Sequence, residues 1–221
     1  LTSNRADSWL ASVAASALGL CTTALHPLGS LDDHLFAIED GAVSYLIVDA
    51  YAYAERGGEL VEKAPSLRHT FTIGATDYGT DLTGAAEVAG ASRARVLAQP
   101  DDLAMLGYTG GTTGKSKGAI RRHASVVAMT NAVLAEFEWP IDPVYLSVAP
   151  ISHVGGTKLV PTLYRGGRVH LHHGFDGDRI LHDVEHEHIS ATLLVPTMIY
   201  ALLDHPRLDD ADLTSLELLL Y

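Results

Sequence analysis

The sequence alternates between two hydrophobic periodicities, and this alternation constrains the fold more than any other feature. Continuous β-rich runs, such as residues 45–49 and 69–73, are followed or preceded by segments with helical spacing of apolar residues. The pattern predicts helices at 9–18, 32–39, 54–63, 124–137, 155–164, 179–186 and 197–203, and strands at 22–25, 45–49, 69–73, 103–108, 119–122, 145–149, 168–171, 192–195 and 216–220. Such alternation is typical of parallel strands joined by crossover helices, so we predict a layered α/β fold.

The chain of 221 residues is long enough for more than one compact subdomain. Periodicity is weak over residues 74–99, which are rich in Gly, Thr, Ala and Asp. We therefore predict a first β/α subdomain with a connecting region at 1–100 and a second one at 101–221. Neither end carries a start or stop signal for a domain, and we interpret the sequence as an internal piece of a longer polypeptide.

Charge and composition exclude several classes of function. The chain has 15 Lys and Arg against 27 Asp and Glu, a net charge of −12, so it lacks the basic face that nucleic-acid binding needs. No apolar run approaches the ~20 residues of a membrane-spanning helix, which predicts a soluble protein. The single cysteine, Cys21, permits neither a disulfide within the chain nor a thiolate zinc cluster, and fits a reducing cytoplasm.

The string Y-T-G-G-T-T-G-K-S-K-G, residues 108–118, lies between two predicted strands. Its glycines let backbone N–H groups turn inward, while its hydroxyls and lysines add donors and positive charge. These are the components of a polyphosphate-binding loop. A P-loop is one alternative, since Gly114-Lys115-Ser116 satisfies the second half of its pattern. Thr109 stands where the first P-loop glycine belongs, however, and a flexible surface loop is the other alternative.

The whole string resembles the phosphate-binding signature Y-T-S-G-T-T-G-x-P-K-G of the adenylate-forming superfamily, and it departs from the signature at Gly110 and Ser116. Three further segments are similar to acyl-CoA ligases: residues 1–29, the substrate-side motif A-P-I-S-H-V-G-G at 149–156, and V-P-T at 195–197. The resemblance covers the full length of the chain. It implies the large N-terminal domain of an acyl- or aryl-CoA ligase, truncated at both ends.

The resemblance implies a two-step reaction. A carboxylic acid attacks ATP to give an acyl adenylate and pyrophosphate, and the thiol of coenzyme A then displaces AMP. The residues expected to contact the β- and γ-phosphates are Thr109, Gly110, Gly111, Thr112, Thr113, Gly114 and Lys117, whereas Lys115 occupies a variable position. The family's ligand for Mg²⁺ and its catalytic lysine lie downstream of Tyr221, so we expect no metal ligand in this chain and no turnover by this chain alone.

His153 is the second candidate site residue. The family places an aromatic or histidine side chain at this position, where it lines the acid pocket, and Gly155 and Gly156 would let the following helix approach closely. The alternative is a histidine with a structural role, in the core or at a helix N-terminus.

The sequence holds 12 histidines, and His182 to His186 spells H-x-x-E-H. Helical spacing places His182, Asp183 and His186 on the solvent side, which disfavours zinc. His170, His172 and His173 are interpreted as residues at the edge of a strand. The absence of G-x-S-x-G disfavours an α/β-hydrolase. Three classes stay open: an adenylate-forming ligase, a P-loop nucleotide hydrolase, and a degenerate nucleotide-binding module derived from the ligases.

Overall fold

A computed structural model describes residues 1–109 and 116–221. The chain divides into two compact units, Leu1–Val127 and Ala128–Tyr221. The subdomain boundary expected at residue 100 lies inside the first of these units, and the assignment of subdomains stays a prediction.

The first unit is built around a small parallel sheet. Its elements are α1 (Ala6–Ala17), α2 (Leu31–Asp40), β1 (Tyr45–Asp49), α3 (Ala50–Lys63), β2 (His69–Ile73), β3 (Thr80–Asp81), α4 (Leu82–Ala89), β4 (Leu103–Thr109) and β5 (Lys117–Arg122). The sheet has the order β1-β2-β3, with Tyr45 opposite His69. Its core contains Leu25, Ala37, Ile38, Leu46, Val48 and Leu60.

Local sequence signals fix the helix ends in this unit. Ser30 and Asp33 form a capping box at the start of α2. Gly19 adopts a positive φ of 75° after α1, and the Gly19 and Leu20 amides donate to carbonyls of the last turn. Helix α3 begins earlier than predicted, because Asp49 caps a first turn that is interrupted by a non-helical Tyr53.

Strands β4 and β5, for which the sequence predicts no direction, differ from the strands of the two parallel sheets. These strands pair antiparallel, with Thr109 opposite Lys117. The physical reason is the length of their connection, since residues 110–116 are too few for the crossover of a dozen or more residues that parallel strands need. The predicted strand at 22–25 is reduced to one parallel bridge between Thr22 and Met105.

Helix α5 (His123–Glu136) contains the boundary between the units, and the second unit is built on a four-stranded sheet. Its elements are β6 (Val144–Ser147), the 3-10 helix Val154–Lys158, α6 (Leu159–Tyr164), β7 (Arg168–Leu171), α7 (Gly177–His186), β8 (Ala191–Leu193), α8 (Pro196–Leu203), the 3-10 helix Leu208–Asp210 and β9 (Leu218–Leu220). The strand order is β7-β6-β8-β9, and every pair is parallel.

Strand β6 is buried along its whole length, as is typical of a central parallel strand. Val144, Leu146 and Val148 pack with Ile180 and Val184 of α7 in the core of this unit, and residues of α8 pack against the same cluster. Tyr145 and Ser147 alternate with them and point to the opposite face of the sheet. The helix predicted at 155–164 is a 3-10 helix followed by the short helix α6.

Among residues 1–109 and 116–221, none of the helices combines the length and the apolar composition that a bilayer crossing requires.

Candidate functional site

The hairpin of β4 and β5 frames the loop that the sequence predicts to bind polyphosphate. The strands pair up to Thr109 and Lys117, so these two residues form the base of the loop. Lys117 is exposed to solvent. The expected ligands Gly110, Gly111, Thr112, Thr113 and Gly114 lie outside the described residues, as does Lys115, and their assignment stays a prediction.

Tyr108 anchors the β4 side of this hairpin, a role that the sequence analysis missed. Its hydroxyl donates a hydrogen bond of 2.7 Å to Asp40 at the end of α2. Its ring meets Phe36 of the same helix edge-on, with centroids 6.0 Å apart. Burial and the Asp40 carboxylate raise the pKa of Tyr108 to about 12, so the hydroxyl remains a donor at neutral pH. The hairpin is thereby fixed to α2 at the position where the loop begins.

The glycine at position 118 has a packing reason that is independent of any ligand. Gly118 lies opposite Tyr108, and a Cβ atom at this position would come within 2.8 Å of Leu106 Cδ1. Glycine at position 118, the last glycine of the signature, therefore leaves room for the Leu106 side chain of β4 to lie against β5.

The hairpin also contradicts the P-loop alternative. A P-loop runs from a strand through its glycine-rich turn directly into a helix, whose N-terminus supports the phosphate. Here the residues after the loop form strand β5, and α5 begins only at His123. A phosphate in this loop would meet the end of a hairpin rather than the end of a helix.

His153 lies in the segment that connects β6 to the 3-10 helix Val154–Lys158, and it is half-buried. Its Nδ1 atom is 2.8 Å from the Ser152 hydroxyl, and its amide donates to the carbonyl of Pro150. These contacts hold the ring by its Nδ1 side. The role of His153 in an acid pocket stays a prediction.

The two glycines after His153 are required by a tight turn. A Cβ atom on Gly155 would overlap the carbonyl of Ala149, and one on Gly156 would overlap the carbonyl of Ile151. The close approach is therefore between the 3-10 helix and the segment directly before it. Glycine at both positions lets the chain fold back and fixes the place of His153.

This segment lies at the carboxyl edge of the second sheet. Residues 148–153 follow β6, His172 follows β7, and residues 194–195 follow β8. Because the three strands are parallel, their carboxyl ends lie at one edge of the sheet. In open α/β sheets ligands bind at this edge, so the sheet places the predicted substrate-side motif where a ligand is expected.

The structure contradicts the placement of Asp183 on the solvent side. Its partner His172 directly follows β7, an edge strand of the sheet, and is only 2% exposed. Its Nε2 atom lies 2.7 Å from Asp183 Oδ2, and Asp183 is half-buried rather than solvent-facing. Burial alone would raise the pKa of Asp183, but hydrogen bonds from His172 and His182 outweigh it and lower this pKa.

His182 and His186 do lie on the outer side of α7, where their rings stack with centroids 4.2 Å apart. Within the part of the chain that the structure describes, no three His, Cys, Asp or Glu side chains lie close enough together to hold a metal ion.

Comparison with known proteins finds relatives that match the full length of the chain. The model of the AMP-binding enzyme family matches residues 1–221. The medium/long-chain fatty-acid CoA ligase FadD8 of Mycobacterium tuberculosis is 41% identical over 230 aligned positions, which cover 100% of this chain and 40% of that protein. A feruloyl-CoA synthase from Amycolatopsis is 35% identical over 175 positions, which cover 77% of this chain and 35% of that protein.

Solved structures agree with the sequence relatives. The amide bond synthetase McbA from Marinactinospora thermotolerans superimposes with a TM-score of 0.87 and 25% identity, over 98% of this chain and 43% of that one. The chain thus has the fold of the N-terminal domains of adenylate-forming enzymes. It spans 40% of the length of the FadD8 ligase and 43% of the McbA chain.

Proposed function

Because the chain belongs to the AMP-binding enzyme family, we propose that the complete protein is an ATP-dependent acid–thiol ligase. It joins a carboxylic acid to AMP with release of pyrophosphate, and the thiol of coenzyme A then displaces AMP to give the thioester. The acid is of the fatty or aryl class, which the names of the two sequence relatives support. ATP, the acid and coenzyme A are all small molecules, and we place the reaction in the cytoplasm.

The observation that carries this proposal is the antiparallel β4–β5 pair. It brings the two ends of a loop rich in Gly, Thr and Lys together at Thr109 and Lys117. Tyr108 fixes the β4 side of this hairpin to α2, next to the start of the loop. Hydrogen-bond donors around the phosphates would stabilise the negative charge that develops on the departing pyrophosphate.

Lys117 has a defined part in this step. Its ammonium lies at the base of the loop, in solvent and without an ion-pair partner among the described residues. It is therefore available to the β- or γ-phosphate of ATP. Thr109 to Gly114 would supply backbone N–H groups and hydroxyls around the same phosphates.

His153 would act on the other substrate. The contact with Ser152 holds the imidazole by Nδ1 in the segment that resembles the family's substrate-side motif, and we propose that the ring borders the acid there. The Gly155-Gly156 turn fixes the backbone directly after His153. This arrangement positions the acid, and no proton transfer by His153 is required.

Mg²⁺ accompanies ATP in reactions of this class. The described residues contain no group of three or more His, Cys, Asp or Glu side chains that fits a metal ion. We therefore assign no ligand for Mg²⁺ to these residues and derive no step from it.

Product analysis tests the proposed reaction. The complete protein is incubated with ATP, Mg²⁺, coenzyme A and single acids from a fatty and aryl panel, and the products are identified by mass spectrometry. We expect AMP, pyrophosphate and the acyl-CoA, and the acyl-AMP when coenzyme A is omitted. ADP and phosphate would instead indicate a nucleotide hydrolase, and ATP binding without turnover would indicate a degenerate binding module.

A further inference from the structure

Lys158 is a buried lysine that the proposed reaction does not use. It ends the 3-10 helix that begins directly after His153, and only 9% of the residue is exposed. The Thr162 hydroxyl donates a hydrogen bond of 2.7 Å to the Lys158 carbonyl, which ties the residue to the first turn of α6. The backbone of Lys158 is therefore held by the 3-10 helix before it and by α6 after it.

The ammonium group of Lys158 contacts only uncharged partners among the described residues. Nζ donates to the Thr157 hydroxyl at 3.2 Å, and it lies 5.7 Å from the centre of the Phe137 ring. No carboxylate lies within 4.0 Å of Nζ in residues 1–109 and 116–221. Burial lowers the pKa of Lys158, since the desolvated ammonium has no opposite charge to offset the loss of water.

Such a group is costly to the folded protein unless something compensates for it. An isolated buried charge destabilises a folded protein, because no partner offsets the hydration that the charge loses. A ligand that brings a negative charge would recover this energy on binding. Perturbed lysines of this kind, close to a ligand-binding edge, are candidates for functional groups.

We propose that Lys158 binds a second carboxylate of the acid substrate, one that does not react. This inference rests on the proposed ligase function and narrows its substrate to acids with a carboxylate at each end. Lys158 follows His153 by five residues, in the 3-10 helix directly after the predicted substrate-side motif. This motif follows the carboxyl end of β6, where a ligand of the sheet is expected. The Thr157 hydroxyl and the Phe137 ring complete the surroundings of the bound carboxylate.

The reacting carboxylate is a poorer partner for this ammonium. It loses its negative charge when it becomes the acyl adenylate, so a buried ion pair with Lys158 would stabilise the free acid more than the transition state. A distant carboxylate keeps its charge throughout the reaction. It can therefore contribute binding energy equally to the substrate, the transition state and the adenylate, and its loss should appear chiefly in KM.

The test uses pairs of acids in ATP–pyrophosphate exchange by the complete protein. Straight-chain alkanoic acids of 6 to 12 carbons (about the span of a medium-size pocket) are compared with the α,ω-dicarboxylic acids of the same length. We expect at least one dicarboxylic acid to have a higher kcat/KM than its matched monocarboxylic acid. Lys158→Met should lower the ratio of the two values about 30-fold or more, as for removal of one partner of a buried charge pair.

The matched control is Lys63→Met, which removes an exposed lysine at the end of α3 and should leave the ratio unchanged. Lys158→Arg keeps the charge and should retain part of the preference. If Lys158→Met does not fold, thermal unfolding of the unmodified protein still decides the matter, since dicarboxylic acids should raise Tm more than monocarboxylic acids.

Two results would overturn the assignment of Lys158. The first is a protein that activates monocarboxylic acids and shows neither exchange nor a rise in Tm with dicarboxylic acids. The second is an unchanged ratio in Lys158→Met, whatever the Tm of that variant. Absence of exchange with every acid contradicts the ligase function and this assignment together.

Discussion

Lys117 carries its positive charge at the base of the loop that the sequence predicts to bind polyphosphate, directly opposite Thr109. We expect Lys117→Ala in the complete protein to remove about 2–4 kcal/mol of transition-state stabilisation, the cost of one preorganised donor. The measurement is kcat/KM for ATP in the acid-dependent reaction. Lys63→Ala is the control for loss of an exposed lysine, and equal values for both variants would contradict the role of Lys117.

Gly156 offers a test of the turn that holds His153. A methyl group there would overlap the carbonyl of Ile151, so we expect Gly156→Ala to destabilise the protein by about 1–3 kcal/mol, as for overpacking. Gly174→Ala is the matched control, because a Cβ atom at Gly174 would have no neighbour within 4 Å. Both are measured by denaturant unfolding. A Gly156→Ala protein as stable as the control would show that the turn can relax.

Site residues could be predicted from the sequence only where they belong to a contiguous motif. The signature placed Thr109 and Lys117 on either side of one loop, and the structure pairs them. The contact of Tyr108 with Asp40 joins residues 68 positions apart, and no local spacing encodes it. The burial of Lys158 was missed for the same reason, since a lysine in an isolated sequence is expected to be exposed.

At the level of elements, the contact between α7 and the end of β7 makes stability depend on pH. The pKa of Asp183 is lowered in the folded state from its usual value of 3.8, after hydrogen bonds from His172 and His182 overcome the effect of burial. The carboxylate therefore stabilises the fold above pH 3.8, and this contribution is lost as the pH falls through the lowered value.

Asp183→Asn should accordingly destabilise the protein at neutral pH by about 1.5–3 kcal/mol, the range for a hydrogen bond to a charged group. The difference from the unmodified protein should shrink as the pH falls below 4. Asp209→Asn, at an exposed carboxylate, is the control and should have a small effect at every pH. Unfolding free energies measured across pH 3 to 7 check this, and a difference that does not change with pH would contradict the account.

Elements with a strong local signal were predicted best. The bounds of β1, β2 and β7 agree with those read from continuous β-rich runs. The direction of β5 relative to β4 was not predicted, because the argument from alternating helices and strands does not apply to two strands with no helix between them. The length of their connection would have given it, since a short connection permits only an antiparallel pair.

On the scale of the whole molecule, the chain spans about 40% of the length of its relatives, and its candidate residues are distributed over two compact units. Lys117 belongs to the first unit and His153 to the second. Each unit has its own hydrophobic core, so each can hold its candidate residues in place. The reaction that we propose belongs to the complete protein, and every activity test above uses it.

ATP–pyrophosphate exchange by the complete protein tests the central claim most directly, because only a reversible adenylation returns labelled pyrophosphate to ATP. Single fatty, aryl and dicarboxylic acids are added in turn. The account predicts exchange that depends on the acid, persists without coenzyme A and is strongly reduced in Lys117→Ala. Exchange that occurs without any acid, or ATP hydrolysis without exchange, would contradict it.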